Sequence, residues 1–146
     1  MSKGNTFEND WLRLIFWGDP IANIADNATV SPLALLYASL HSADPGEAGN
    51  QATSEAAYAG YARVAVPRAP SGWTISGSIV HPAAAIIFPE LASGSGNYPF
   101  FGIGTALSGA GKLLYYGPIT NSAGGALAPS AGIAPYIGTD TVITED

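Results

Sequence analysis

The stretch Ser31-Pro32-Leu33-Ala34-Leu35-Leu36-Tyr37-Ala38-Ser39-Leu40-His41 decides how the chain is read. Leu33, Leu35, Tyr37, Ser39 and His41 alternate with Ala34, Leu36, Ala38 and Leu40, a period of two with apolar residues on both sets. That pattern predicts a strand covered on both faces. Four more strand candidates follow at short intervals, Ala62 to Arg68, Trp73 to Val80, Ala83 to Phe88 and Phe100 to Ala106, each bounded by turn residues. Lys112 to Ile119 and Thr141 to Thr144 complete the set. Within Trp73 to Val80, Trp73, Ile75, Gly77 and Ile79 share one side while Thr74, Ser76 and Ser78 share the other, the half-buried pattern of an antiparallel sheet. About seven short strands without intervening helices predict an all-β chain, an antiparallel β-sandwich of jelly-roll-like type. No internal repeat is present, which excludes propellers and solenoids.

Upstream of the alternation the period is helical. Phe7, Trp11, Leu14 and Ile15 fall at i, i+4, i+7 and i+8, one apolar face that Leu12, Phe16 and Trp17 widen. Asn5 or Thr6 is placed to cap, Glu8 and Asp10 favour the helix dipole in the first turn, and Gly18 ends the element. A second short turn is expected after it, with Asp19 as cap, Pro20 at the first helical position, and Ile21 and Ile24 facing inward. The predicted organisation is a short amphipathic helical arm over residues 1–30 and a β-sandwich domain over residues 31–146. Between them and the later strands, Ala43 to Gly60 reads as a long loop, and loops of that length are usually functional or ordered by a partner. The Gly/Ala/Pro-rich connection between Asn121 and Gly138 has too few large apolar residues to core itself.

Charge narrows the function classes. The 146 residues carry five Lys+Arg and 11 Asp+Glu, 11% charged residues against roughly 25% in ordinary soluble domains, and a net charge of −6. The cations, Lys3, Arg13, Arg63, Arg68 and Lys112, are scattered, so no basic patch exists to neutralise phosphates and no nucleic-acid partner is expected. No membrane partner is expected either, because the most apolar stretch, Leu12 to Trp17, carries Arg13 and falls far short of the ~20 residues of a span. The N-terminus lacks an apolar signal core, so the chain reads as cytoplasmically made and soluble. A neutral exterior of Ser, Thr, Asn, Gly and Ala is covered by another protein at little desolvation cost, whereas buried charges cost several kcal/mol each unless well paired. It reads as a docking surface.

Constellations for chemistry are sparse. With no Cys, thiolate metal sites, iron–sulfur clusters and thiol nucleophiles are excluded together. His41 lies near Asp44 and Glu47, a conceivable cation site, but without repeated ligand spacing and with Pro45 fixing the turn, a capped turn is the better expectation. His81 precedes Pro82 and is expected to be extended at a strand end. No Gly-x-Ser-x-Gly elbow is present. The run Gly104 to Lys112 imitates a phosphate loop only superficially: Ala106 stands where the first glycine belongs and Leu113 where Ser or Thr should bind magnesium. A glycine-rich hairpin turn is the expectation there. Neither a catalytic residue, nor a cofactor, nor a metal is predicted.

The run Leu35-Leu-Tyr-Ala-Ser-Leu-His-Ser-Ala-Asp-Pro-Gly-Glu47, with Asn50-Gln-Ala-Thr-Ser-Glu55 and Tyr58-Ala-Gly-Tyr-Ala-Arg-Val64, resembles a family of small tailed-bacteriophage virion proteins. Its members are labelled tail-fibre proteins or head decoration (cement) proteins. The short helix ahead of the Leu-Tyr strand and the closing Thr141 to Glu145 are similar too, while residues 91–138 depart from the pattern. The resemblance implies a jelly-roll sandwich in a structural virion role, without enzymatic activity. Composition favours capsid cement, because 146 residues leave no room for a fibre shaft and an acidic exterior suits the outer capsid face. The expected partners are the major capsid protein and further copies of the chain, as dimer or trimer; the alternative is a receptor- or glycan-binding tail module. The expected contact residues are Phe7, Trp11, Leu14, Ile15 and Trp17 on the helix, with Asp44, Tyr58 and Tyr61 in the long loop. Aromatic side chains concentrate binding energy, and Trp11 and Trp17 cannot easily both be buried in a domain this small.

Overall fold

A computed structural model describes residues 5–21, 25, 32–120, 125 and 127–144. Among the described residues the helix α1 (Asn5–Phe16) is followed by nine strands: β1 (Leu35–His41), β2 (Val64–Pro67), β3 (Trp73–Ser76), β4 (Ile79–Pro82), β5 (Ile86–Ile87), β6 (Phe100–Gly104), β7 (Leu113–Pro118), β8 (Tyr136–Ile137) and β9 (Ile143–Thr144). Antiparallel sheets and one short N-terminal helix make this the all-β class that the alternation predicts, consistent with a sandwich. The described residues form two compact units. The first draws on residues up to Leu35, Pro67–Ala85 and the residues from Gly138 onward; the second on Leu36–Val66 and Ile86–Ile137.

In the first unit a three-stranded sheet, ordered β3-β4-β9, carries α1 against β3 and β4. The inward positions of the helix are Leu12 and Phe16, both fully buried, and Phe16 meets the Trp73 ring edge-on at 4.7 Å. On the face expected to contact a partner, Trp11 points outward while Leu14 and Ile15 are half-buried. Nearly every turn of this helix carries large apolar residues, so spacing alone leaves its face undetermined, and Trp73 selects Phe16. Gly18, at φ 76°, ends the element as the sequence predicts, with the Asp19 N–H bonded to the Arg13 carbonyl at 3.2 Å. Of the expected second helical turn, Asp19, Pro20 and Ile21 are described, and none of the three is helical. Ile21 and Ala25 exchange both backbone hydrogen bonds at 2.8 Å, a reciprocal bridge that a helix, with its one-way bonds, cannot make. Ile21 is buried as expected; Ile24 lies outside the described residues.

The expected single strand Trp73 to Val80 is two strands. Trp73↔Pro82, Thr74↔His81, Ile75↔Val80 and Ser76↔Ile79 pair across a two-residue turn at Gly77 and Ser78. Gly77 has φ 61° and Ser78 does not share a positive φ, which fits the hairpin turn that requires glycine first. The turn reverses the alternation: Ile75 shares a face with Val80 and Ser76 with Ile79, so Ile79 lies on the side opposite to the one expected for it with Trp73 and Ile75. Ala83 to Phe88 likewise contracts to Ile86–Ile87.

In the second unit a four-stranded sheet is ordered β2-β1-β6-β7, and a two-stranded sheet pairs Ile86↔Ile137 and Ile87↔Tyr136. The first strand is covered as predicted: Leu36, Ala38, Ser39, Leu40 and His41 are all buried. Gly102 and Gly104 of β6, with Gly111, make space for the long loop to fold back on the sheet. A methyl group at Gly104 would lie 2.2 Å from the Gln51 side chain, and one at Gly102 would lie 2.8 Å from His41 Nε2. Gln51 is fully buried in that space, its Oε1 accepting the Ala106 N–H at 2.8 Å while its own N–H donates to the Gly111 carbonyl at 3.0 Å. The run Gly104 to Lys112 is thus a glycine-rich connection between β6 and β7, as expected.

Gly104→Ala must displace a buried, hydrogen-bonded glutamine. It is expected to lower folding stability by about 1–3 kcal/mol, measured by chemical denaturation, with Gly94→Ser, where nothing lies nearby but φ is positive, as the comparison for pure backbone strain.

Candidate docking surface

The C-terminal carbonyls of α1 would be unpaired at the helix end, and Arg68 covers them. Its Nε donates to the Ile15 carbonyl at 2.6 Å, Nη2 donates to the Leu14 carbonyl, and Nη1 reaches the Leu33 carbonyl at 3.3 Å. A cation there also suits the helix dipole. Arg13 pairs with Asp19 at 2.9 Å and lies 5.0 Å over the Trp17 ring, whose Nε1 donates to the Trp73 carbonyl at 3.1 Å. The helix therefore presents Trp11, 36% exposed, while Trp17 is held half-buried with its donor satisfied. Leu14 and Ile15 are half-buried beside the carbonyls that Arg68 occupies, and the Phe7 side chain lies outside the described residues.

The loop residues divide. Asp44 is exposed, and its Oδ1 accepts the Gly46 N–H at 2.8 Å in a side-chain-capped turn. Tyr58 and Tyr61 belong to an internal aromatic cluster, with ring centroids 5.2 Å apart, Tyr98 5.7 Å from Tyr58, and Phe88 stacked 6.2 Å from Tyr61. The Tyr58 hydroxyl donates to the Pro89 carbonyl at 2.7 Å; the Tyr61 hydroxyl donates to Glu55 at 3.0 Å and accepts the Leu40 N–H at 3.1 Å. Burial pushes the Tyr58 phenol up to about 12 and raises that of Tyr61 further, with the Glu55 carboxylate adding to the rise. Both remain protonated donors.

Beneath them a buried ion pair organises the loop. Arg63 engages Glu55 with two bonds, Nε to Oε1 at 2.6 Å and Nη2 to Oε2 at 2.7 Å. The same guanidinium donates to the Ala106 carbonyl at 2.9 Å and the Gly109 carbonyl at 2.6 Å. His41 is also fully buried. Its Nδ1 contacts the Thr53 carbonyl at 2.8 Å, which can only accept, so Nδ1 carries the proton and Nε2 accepts from Ser39 Oγ at 2.9 Å. Both ring nitrogens are thereby occupied, and the cation site conceivable from His41, Asp44 and Glu47 is not assembled. Among the described residues no group of three or more His, Asp or Glu side chains could hold a metal.

The most exposed apolar pair was not among the expected contacts. Ile87 and Tyr136 stand directly opposite each other in the two-stranded sheet, 62% and 56% exposed, while the alternate pair Ile86 and Ile137 is buried. The Ile86-Ile87 doublet is the signal that could have found it, because adjacent strand residues face opposite ways. Leu107 and Ile133, 60% and 53% exposed, add to the apolar exterior of this unit.

A charge-poor all-β protein with aromatic and aliphatic side chains held outward has the constitution of a structural component that works by attachment. Residues 17–128, most of the chain, match the family described as podophage GP4 fiber I protein gp80, and the chain belongs to that family. It is accordingly a bacteriophage virion structural protein. No curated protein matches the chain significantly.

Burial holds the His41 imidazolium form below its ordinary pKa of 6.5. The unfolded chain then binds the extra proton more readily than the fold, so this contribution to stability is complete above about 6.5 and is lost as the pH falls below it. The denaturation midpoint is expected to decline between pH 7.5 and 5.5 in the native sequence and to decline less in His41→Gln, as read by urea titrations at each pH.

Proposed function

We propose that the protein binds the outer surface of an assembled phage capsid and stabilises it as a decoration protein. The observation that supports this is the combination of a surface poor in charge with exposed Trp11, Ile87 and Tyr136. Such a surface loses little hydration energy on being covered, and its aromatic members supply anchor points. The partner is the major capsid protein. A ligand that binds only the assembled lattice stabilises that state by RT ln(1 + [L]/Kd), several kcal/mol per site when tight, and many sites act together against the pressure of packaged DNA.

On this proposal the anchoring set is narrower than the expected contact residues. Trp11 and the Asp44 turn are available at the surface, Trp17, Leu14 and Ile15 flank the helix end, and Tyr58 and Tyr61 support the loop from within. A tail-fibre role is the second reading, since the matched family is described as a fiber protein.

Densitometry of purified particles distinguishes the two. Decoration predicts copies near-stoichiometric with the major capsid protein, and particles lacking the protein that break at lower temperature. A fibre role predicts a small fixed number of copies and loss of host adsorption on removal. Trp11→Ala is expected to weaken attachment to particles about tenfold or more, equivalent to about 1.4 kcal/mol, with little change in the melting temperature of the isolated protein; unchanged occupancy would count against the helix as an anchor.

A further inference from the structure

Among the described strands most sheet edges are short or guarded. The strand β2 is four residues long and ends in Pro67; β3 has four residues, and β5, β8 and β9 have two each. The strand β7 is different. It runs six residues, Leu113–Pro118, contains no charged side chain, and pairs on one side only, with β6. An edge of that length without charge is a ready template for another strand.

The ladder fixes which backbone groups face outward. Ile119 N–H donates to the Pro99 carbonyl at 2.8 Å and Thr105 N–H donates to the Lys112 carbonyl at 3.1 Å. With Phe101↔Gly117 and Ile103↔Tyr115 in register, Gly117 and Tyr115 direct their backbone groups toward β6. The intervening Tyr116 therefore turns both its N–H and its C=O away, as Pro118 does its carbonyl. Proline is tolerated at Pro118 because no partner there asks for an N–H. Leu114 lies on the same outer side, next to the bulge where Leu113 and Leu114 oppose Gly104.

We infer that this edge pairs antiparallel with the β7 edge of a second copy, about a two-fold axis through Tyr116. Self-pairing about Tyr116 satisfies the edge. Tyr116 exchanges two hydrogen bonds with Tyr116 of the second copy, and each Pro118 carbonyl accepts from Leu114 N–H of the other. An axis through Pro118 has no N–H to exchange, and one through Leu114 runs into the bulge. Charge selects a second copy as the occupant. Copies of a protein with net charge −6 repel one another, yet from Leu91 to Thr139 there is no acidic residue and one cation, Lys112. The antiparallel arrangement sets the two Lys112 residues at opposite ends of the paired strands. This is the part of the sequence where two copies meet without opposed carboxylates. The contact is isologous and closes on itself, as a dimer requires.

The test is sedimentation equilibrium of the full chain, with amide hydrogen exchange followed across a dilution series. The expected result is a reversible dimer in which the Tyr116 amide is protected at high concentration and exchanges freely on dilution. Tyr116→Pro removes the central outward donor and leaves the bonds to β6, which Tyr115 and Gly117 make, in place. It is expected to weaken the dimer at least about tenfold with native circular dichroism. If that variant misfolds, Tyr116→Lys keeps the backbone donor, sets two like charges on the axis, and is expected to weaken association similarly. A chain that stays monomeric throughout, a Tyr116 amide indifferent to concentration, or a dimer abolished by Ile87→Ser instead would each overturn the proposal.

Discussion

The second unit depends on a single buried guanidinium. Arg63 meets Glu55 through two parallel bonds and reaches the Ala106 and Gly109 carbonyls as well, so one side chain joins the long loop to the β6–β7 connection. Lysine has the charge but lacks the planar fork that serves a carboxylate and two carbonyls together. A buried pair of this kind returns little net energy when compared with a hydrophobic replacement, yet losing one partner leaves an uncompensated charge and costs about 3–5 kcal/mol. Its consequence is positional. With Arg63 fixed, Gln51 lies in the glycine-lined space at Gly104 and Gly111, Tyr61 bonds to Glu55 and to the Leu40 N–H, and His41 finds the Thr53 carbonyl. Irregular backbone can be buried there because side chains and glycines answer its polar groups.

That arrangement was largely illegible in the sequence, and the reason is specific. The strand Leu35–His41 announces itself because alternation is a local property of neighbouring residues. Glu55 and Arg63 sit eight positions apart in a stretch without period, and nothing local states that they will meet. The hairpin at Gly77 was misread for a different reason: a two-residue turn reverses the phase, so the buried set passes from Trp73 to Val80 and Pro82, and the Ile79-Val80 doublet after Gly77-Ser78 marks that break. The helix shows a third kind of ambiguity. Phe7, Trp11, Leu14 and Ile15 make one apolar stripe and Leu12 with Phe16 make another, and the tertiary contact with Trp73 decides between them. Gly18 as the helix end, the glycine-rich turn after β6 and the capped turn at Asp44 were legible, because each rests on the chemistry of one or two residues.

The low charge of the exterior has a structural source beyond composition. Of the five cations, Arg63 is buried with Glu55, Arg68 is committed to the carbonyls of Leu14, Ile15 and Leu33, and Arg13 is paired with Asp19 while lying over Trp17. Arg63 and Arg68 thus serve internal geometry, and Arg13 is neutralised by an exposed ion pair. What remains outside is a field of small neutral residues interrupted by carboxylates and by single apolar side chains. Long-range attraction to anionic polymers is weak for such a surface, and recognition must rest on short-range fit, where shape and the burial of residues such as Trp11, Ile87 and Tyr136 decide.

A surface that is inexpensive to cover is also inexpensive to cover wrongly, and the strand edges show how the chain limits this. Pro67 interrupts the ladder on the outer side of the four-stranded sheet at β2, with arginines close by on either side in sequence. At β7 the limits are placed at the ends instead: a bulge at Leu113 and Leu114, and Pro118 at the last position. An extended β-sheet grows by adding strands alongside its edges, and a bulge and a proline limit the length of edge that a further strand can use. The free stretch between them is long enough to hold one partner strand and is closed at both ends, so its exposure is compatible with a protein that must assemble with neighbours without growing into fibres.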